Sequence, residues 1–565
     1  MREYPKKKLA QMVLQALVEH KIEDVVISPG SRNAPLTIGF VNHPEVTTHS
    51  LVDERAAAFF ALGLSQQSKM PVALLCTSGS ALLNYYPAVS EAYYSNIPLV
   101  VLSADRPADL IDIGDGQTIR QAKVFSEHIR YESTLDEHGT EEKNAEKITE
   151  ALRIAQEEMG PVHLNIPFDE PLYETTHELY DFGELKLRPE EDPMPDSLLD
   201  ETPIPLSELE GYAKMWNRAA KKMVILGVNA PDPLIRTQMS HLVKDPSVLV
   251  LTETTSNVSD KKFVANIDQL IFSLSDQEFE ELRPEVLITF GGMVVSKKIK
   301  QFLRKHQPDQ HWHIDPIRPM DTYKCLTKHF KVSPQLFFSQ FFFLTETVSS
   351  SYQAQWLLRR ESKKVLHREY LESVPYSDFL VFHTLFRALP EGIRLQLSNS
   401  SVVRYAQLYD FKDTIEVFCN RGTSGIDGST STAIGAASAF EGQTVFVTGD
   451  LSFFYDSNAF WNRNIPANFR VVMVNNRGGG IFRILPGPLR SGALDYFETP
   501  HELDASHLCS MHGVSYRSAS GIEELRASLK DFFDDGDGPR LLEIFTPNEV
   551  NDQVLKDYFR FLDQG

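Results

Sequence analysis

The sequence predicts an α/β protein of three consecutive domains, each a doubly wound parallel sheet. Three observations predict it. The chain has 565 residues, which at roughly 150 residues per domain makes three or four domains. Short apolar runs alternate with helical stretches, and strands separated by helices imply right-handed crossovers and parallel pairing. Glycine-rich turns follow strand candidates mainly in the first and last thirds, which points to a site assembled between those two units.

In chain order, Leu9, Met12, Val13, Ala16 and Leu17 have the spacing of an amphipathic helix, not of a signal-peptide core. Strands are expected at 25–27, 72–76 and 97–102, giving a first domain over 1–187. The stretch 188–205, RPEEDPMPDSLLDETPIP, is rich in proline and acid and is expected to be a linker. A second domain over 206–348 carries strands at 223–226, 248–252, 286–290 and 312–314, with few polar motifs. A polar helical connector over 349–370 leads to a third domain over 371–565, with strands at 393–397, 414–418, 444–448, 470–474 and 540–545.

Composition narrows the function. Hydrophobic residues make up 42% and charged residues 24%, enough for buried cores and against wholesale disorder. A net charge of −21, from 56 basic and 77 acidic residues, argues against a nucleic-acid partner. Cys76, Cys325, Cys419 and Cys509 lie far apart with no metal-ligand spacing and read as free thiols of a reducing cytosol. The richest apolar run, 336–344, is broken by Ser339 and Gln340 and falls short of the ~18 residues a membrane span needs. The expectation is a soluble, cytoplasmic protein without a membrane span. No GxxxxGK[ST], HExxH or GxSxG motif is present, so P-loop, zinc-protease and serine-hydrolase readings lose their main support.

The sharpest chemical signal is Gly449-Asp450-Leu451-Ser452 after one predicted strand and Asn475-Asn476 after the next. Both lie at C-terminal strand ends, where open parallel sheets bind ligands. Asp450 offers a carboxylate oxygen and Asn476 an amide oxygen. The loop Arg477-Gly478-Gly479-Gly480 can turn a backbone carbonyl inward, here assigned to Gly478. With diphosphate oxygens and water, these hard donors suit Mg²⁺, with Mn²⁺ as the alternative ion. Separately the two segments are ordinary turns; together they resemble the diphosphate–Mg²⁺ motif of thiamine diphosphate enzymes. Gly114-Asp115-Gly116 looks similar but follows no strand and is read as a loop.

A thiamine site also needs an acid facing the aminopyrimidine ring. Glu54, opening an apolar helix after Asp53, is the candidate. Burial there would raise its pKa and let it share a proton with the ring nitrogen. The competing reading is that Asp53 and Glu54 only complement a helix N-terminus. His311 and His313 alternate on a strand and share a face, but no third ligand accompanies them, so they are not read as a metal site.

Ser28-Pro29-Gly30-Ser31-Arg32-Asn33, Asp53-Glu54-Arg55, Asn420-Arg421-Gly422-Thr423-Ser424-Gly425-Ile426-Asp427-Gly428 and Gly449-Asp450-Leu451-Ser452-Phe453-Phe454-Tyr455-Asp456 follow one another along the chain. In that order they resemble the 2-succinyl-5-enolpyruvyl-6-hydroxy-3-cyclohexene-1-carboxylate synthase family of menaquinone biosynthesis. The resemblance runs over essentially the whole chain and implies pyrimidine, central and diphosphate domains of the thiamine diphosphate enzyme type. It implies a transferase that decarboxylates 2-oxoglutarate and adds the succinyl-semialdehyde carbanion equivalent to isochorismate.

By match to that family, Arg32, Arg106, Arg404 and Arg421 would bind substrate carboxylates, for which a guanidinium offers a bidentate fork. Ser31, Gln117, Lys297 and Ser400 match further substrate-facing positions. Ser424, Gly425, Ile426, Gly449, Asp450, Leu451, Ser452, Asn476, Gly479, Ile481 and Phe482 match cofactor-binding positions, Ile426 as the apolar wedge under thiamine. Leu451 stands where many thiamine enzymes have a second glycine, a variation the family shares. The family also implies a homo-oligomer, at least a dimer and a dimer of dimers by analogy, in which Glu54 of one copy meets Asp450 of another. The competing enzyme reading is another thiamine-dependent 2-oxoacid decarboxylase or acetohydroxyacid-type synthase; a non-enzymatic cofactor-binding protein would need neither Glu54 nor the metal loop.

Overall fold

The computed structural model describes residues 2–183, 185–187, 202–484 and 486–564. Most of the predicted linker, 188–201, lies outside the described residues. Three parallel sheets carry the chain, joined by the helix Tyr352–Ser373 ahead of the third.

The first sheet has six strands in the spatial order Thr47–Ser50, Asp24–Ile27, Val72–Cys76, Leu99–Asp105, Val162–Pro167, Tyr131–Thr134. The third has six in the order Glu416–Cys419, Arg394–Leu397, Thr444–Gly449, Arg470–Asn475, Arg540–Phe545, Ser515–Ala519. Every pairing in both is parallel. Numbered within each domain, both read 2-1-3-4-6-5. The same winding therefore occurs twice without a sequence repeat. The central sheet has five parallel strands, Val248–Leu251, Lys222–Leu226, Val286–Phe290, Gln310–Ile314 and Lys328–Phe330, again beginning 2-1-3-4.

In such sheets the order reverses between strands 1 and 3, and the connections leaving their C-terminal ends diverge to opposite faces, opening a crevice. In the first domain that crevice is edged by the turn after Ile27 and by Thr77-Ser78-Gly79. In the third it is edged by Ser398-Asn399-Ser400 and by Asp450. In the central domain it is closed: a side chain on Gly227 would meet the Gly292 carbonyl at 1.8 Å, and the Gly292 N–H donates to the Val228 carbonyl at 2.7 Å. The domain without polar motifs is thus the one whose crevice is sealed by its own glycines.

The first and third domains share a core. Helix Glu54–Ser68 buries Ala56 to Ser65 without a break, because it lies between its own sheet and helix Ser429–Ser438 of the third domain. Gly63 approaches the Thr432 carbonyl so closely that a Cβ would stand 2.1 Å from it, and Gly435 approaches the Phe60 carbonyl to 2.0 Å in the same sense. Phe59, Phe60, Leu62, Ile434, Ala437, Phe446 and Met473 belong to one apolar cluster. Burial at about 25 cal/mol per Å² of apolar surface makes this a main source of cohesion between the two domains.

Candidate active site

Asp450 begins the helix Asp450–Tyr455 directly after its strand and is buried. Its Oδ1 accepts the Leu451 N–H at 2.6 Å and its Oδ2 accepts the Gly478 N–H at 2.9 Å. Each oxygen keeps lone-pair capacity for a further partner. The two motifs expected to cooperate are therefore joined, because Gly449 pairs with Val474 in neighbouring strands and Gly478 lies just beyond. Gly478 has φ 147° and a Cβ there would come 2.7 Å from the Glu498 carbonyl, so this turn requires glycine. Gly479 donates its N–H to the same carbonyl at 2.7 Å.

Asn476 is buried, and its Nδ2 donates to Asp378 Oδ2 at 3.0 Å. Among the described residues no donor reaches its Oδ1. A carboxylate, an amide oxygen and the glycine loop thus gather at one strand edge, a donor set of hard oxygens that fits Mg²⁺ beside a diphosphate. Space at Gly449, where nothing lies within 4 Å of an added Cβ, agrees with an open approach for that group. Ser452 donates to the Ile426 carbonyl at 2.8 Å, tying the metal loop to the segment 420–428. Ile426, Leu451, Ile481 and Phe482 are half-buried, and the Phe482 and Phe497 rings lie 5.5 Å apart.

Ser400, Ser424 and Arg477 are non-glycine residues at φ 71°, 61° and 63°. Such left-handed backbone costs about 1–3 kcal/mol and concentrates at functional sites. Asn399 holds the strand-1 edge, with its Nδ2 donating to the Asn420 and Gly425 carbonyls, both at 2.7 Å, and its Oδ1 accepting from Arg421 at 2.7 Å.

The arginines divide. Arg404 has no hydrogen bond or ion pair among the described residues and is half-buried; burial lowers its pKa, and Arg421 beside it lowers it further. Asp268 and Glu253 nearby oppose this shift, yet neither forms an ion pair with Arg404 among the described residues, so its guanidinium is left for an anion. Arg32, by contrast, is buried against the Phe168 carbonyl at 2.9 Å and Glu170 at 3.2 Å, and Arg106 pairs with Asp115 at 3.2 Å, which brings the Gly114-Asp115-Gly116 loop to the first domain's crevice. Ser31 is exposed there; Gln117, also exposed, has its backbone 3.4 Å from a Cβ on Gly79. Lys297 is exposed at the first turn of helix Lys297–Lys305.

Glu54 does open its helix, while Asp53 caps it by accepting the Ala56 N–H at 3.0 Å, so the capping reading holds for Asp53 and leaves Glu54 uncommitted. The expected burial is corrected: Glu54 is half-buried in the single chain. It lies near Cys76 and Tyr85 of its own domain. No hydrogen bond or ion pair among the described residues joins it to Asp450.

Models of thiamine pyrophosphate enzyme domains match the chain in three places. An N-terminal TPP binding domain covers residues 7–128, a middle domain 218–395 and a C-terminal TPP binding domain 400–544. Proteins named 2-succinyl-5-enolpyruvyl-6-hydroxy-3-cyclohexene-1-carboxylate synthase are similar over their whole length. The Flavobacterium johnsoniae protein is 49% identical over 99% of this chain and 100% of its own, and the Flavobacterium psychrophilum protein matches equally. The Bacteroides fragilis protein is 37% identical over 99% of this chain and 100% of its own. The chain belongs to this family of thiamine pyrophosphate enzymes.

Several residues of this family member outside the recognised motifs also build the site. Glu91, buried in helix Tyr86–Ser95, accepts the Gly422 and Thr423 N–H groups, both at 2.6 Å, so a first-domain acid fixes the third-domain loop that carries Arg421 and Ser424. Its only sequence signal is a lone acid among apolar and small residues. Lys300 of the central domain is half-buried; burial lowers its pKa, nearby Glu253 opposes this, and Arg421 and Arg404 lower it again. It joins the cation pair from the third side. His501 Nδ1 accepts the Leu503 N–H at 3.2 Å, and its Nε2 stands 3.4 Å from Asp450 Oδ2. His311 and His313 both bracket the Thr289 hydroxyl, at 2.8 and 2.9 Å, and burial pushes each down to about 4.

Proposed function

We propose that the protein is a thiamine diphosphate- and Mg²⁺-dependent transferase that decarboxylates 2-oxoglutarate and joins the remainder to isochorismate in menaquinone biosynthesis. The observation that carries this reading is the oxygen set of Asp450, Asn476 and the Gly478 turn at the third domain's crevice, in the same domain as the neighbouring cations Arg404 and Arg421.

Asp450, Asn476 and the Gly478 carbonyl would hold the ion, and the ion would hold the diphosphate. When bound, thiamine diphosphate supplies the reactive carbon and the electron sink. The chain's own part is to bind, orient and shield. Arg404, Arg421, Arg32 and Arg106 would take the substrate carboxylates, aided by Ser31, Gln117, Lys297 and Ser400. Ile426, Leu451, Ile481 and Phe482 would form the apolar wall, with Ser424, Gly425, Gly449, Ser452 and Gly479 as close backbone or hydroxyl contacts. The carboxyl of Glu54 would exchange a proton with the aminopyrimidine nitrogen, from a second copy of the chain, since among the described residues no hydrogen bond or ion pair joins it to Asp450 within one. We therefore read the protein as at least a homodimer. Cys76, Cys419 and Cys509 are buried free thiols, consistent with a reducing cytoplasm.

The test is isochorismate loss, followed by ultraviolet absorbance, with Mg²⁺, thiamine diphosphate and 2-oxoglutarate present. Loss that requires all three supports the reading. Carbon dioxide release from a 2-oxoacid while isochorismate persists would instead favour a simple decarboxylase. Glu54→Gln should lower the rate by at least about 100-fold, the scale of a lost proton-transfer group, while Mg²⁺ binding is kept; full activity would remove Glu54 from the site.

A further inference from the structure

Asp378 is buried at the first turn of helix Asp378–Ala388, outside every motif read from the sequence. Both oxygens of its side chain are hydrogen-bonded. Oδ2 accepts from Asn476 Nδ2 at 3.0 Å and Oδ1 accepts from the Thr546 hydroxyl at 2.6 Å. Its backbone N–H donates to Asn551 Oδ1 at 2.8 Å, which anchors the helix start to the C-terminal helix Asn551–Asp563. No cation faces this carboxylate in an ion pair among the described residues, so its bonding rests on neutral donors, Asn476 and Thr546 first among them.

An asparagine amide is planar and offers a donor at one end and an acceptor at the other. Only the donor end is compatible with a carboxylate; turned over, the amide oxygen would face the Asp378 oxygen without a proton between them. Occupying Nδ2 therefore commits Oδ1 to the opposite side. That oxygen is the one the ion reading needs, and Asp450 is one strand away.

We propose that Asp378 is a positioning residue for the metal site, selecting which end of the Asn476 amide is presented to the ion. This rests on the Mg²⁺ reading above. A partner that orients a metal ligand is typically worth 10–100-fold in affinity.

The test uses the full-length protein with saturating thiamine diphosphate and Mn²⁺ as the probe, counting free ion by electron paramagnetic resonance. Asp378→Ala should weaken Mn²⁺ binding about 10–100-fold per folded molecule. Asp378→Asn, whose Oδ1 can still accept from Asn476 while its amide nitrogen faces Thr546, should recover most of that affinity. Thr546→Val, which leaves the Asn476 contact in place, should bind Mn²⁺ as the wild type does even if its melting temperature falls. If Asp378→Ala does not fold, Asp378→Ser, too short to hold the amide, replaces it. Wild-type affinity in the Ala or Ser variant, or equal losses in Ala and Asn, overturns the proposal. A wild-type protein that binds no Mn²⁺ with the cofactor overturns the metal reading itself.

Discussion

Asp456, the last residue of the GDLSxxYD segment, caps helix Ser429–Ser438 from outside the helix. Its carboxylate accepts the Ser431 N–H at 2.7 Å and the Ser431 hydroxyl at 3.0 Å. Burial pushes this carboxyl up to about 7, opposed by the Ser431 bonds and Arg55, and reinforced by Asp53. An unfolded aspartate titrates near about 4. Between about pH 4 and 7 the folded chain therefore holds this proton more tightly than the unfolded chain, and its contribution to stability falls as pH rises through that window. Melting curves of wild type and Asp456→Asn should diverge in the variant's favour from pH 4 to pH 7. Parallel curves would contradict the assignment. Comparing the two isolates Asp456 from Glu253 and Asp378, which burial raises to about 7 and about 6. At this scale the sequence disclosed residues inside motifs and hid those outside them. Asp450, Asn476 and Gly478 were legible because glycine and strand ends mark them. Glu91, Asp378 and Lys300 were not: each lies in an otherwise ordinary helix, Lys300 as one of several basic residues, and its role depends on a distant segment.

The pair of helices Glu54–Ser68 and Ser429–Ser438 is the element on which the site depends, since one starts at Glu54 and the other follows the loop of Arg421. Small residues, STSTAIGAAS, let the backbones touch. Gly435→Ala would drive a methyl into the Phe60 carbonyl, and overpacking of this kind costs about 1–3 kcal/mol. Chemical denaturation should show that loss, whereas Ala436→Gly, on the same helix without the clash, should cost only about 1 kcal/mol for helix propensity; a neutral Gly435→Ala would contradict the close crossing. Among strands, 72–76 and 286–290 matched the structure because their apolar runs are buried end to end, and 540–545 because its four inner residues are buried. Val162–Pro167 went unread although it is central. His163 and Asn165 break its apolar run, and they are satisfied by Ser103, at 2.7 and 2.9 Å, and by Gln121 and Asp105. Thr47–Ser50, Tyr131–Thr134 and Ser515–Ala519 are edge strands, short and polar on their open side, and carry little periodic signal.

At the scale of the molecule, two sheets of identical winding present their crevices with complementary equipment. On the proposed function the third domain would supply the oxygens for the ion, and the first would supply Glu54 and the loops of Arg32 and Arg106. The central domain's crevice is sealed, which leaves it the task of bringing Lys300 to the cation pair. Within one chain, Arg55 donates to the Tyr455 carbonyl at 2.9 Å and Asn458 donates to Asp53 at 2.7 Å, so both neighbours of Glu54 are occupied by the same chain's third domain while Glu54 itself is left over. A second copy, related by a two-fold axis, is what would bring an Asp450 to it. Co-expression of Glu54→Gln and Asp450→Ala chains tests this most directly. Neither variant alone should turn over substrate. In a mixed dimer one site would carry both defects and the other neither, so random pairing should restore about a quarter of wild-type activity. If the mixture stays as inactive as its parents although mixed dimers are recovered, the site lies within a single chain and the account of its assembly is wrong.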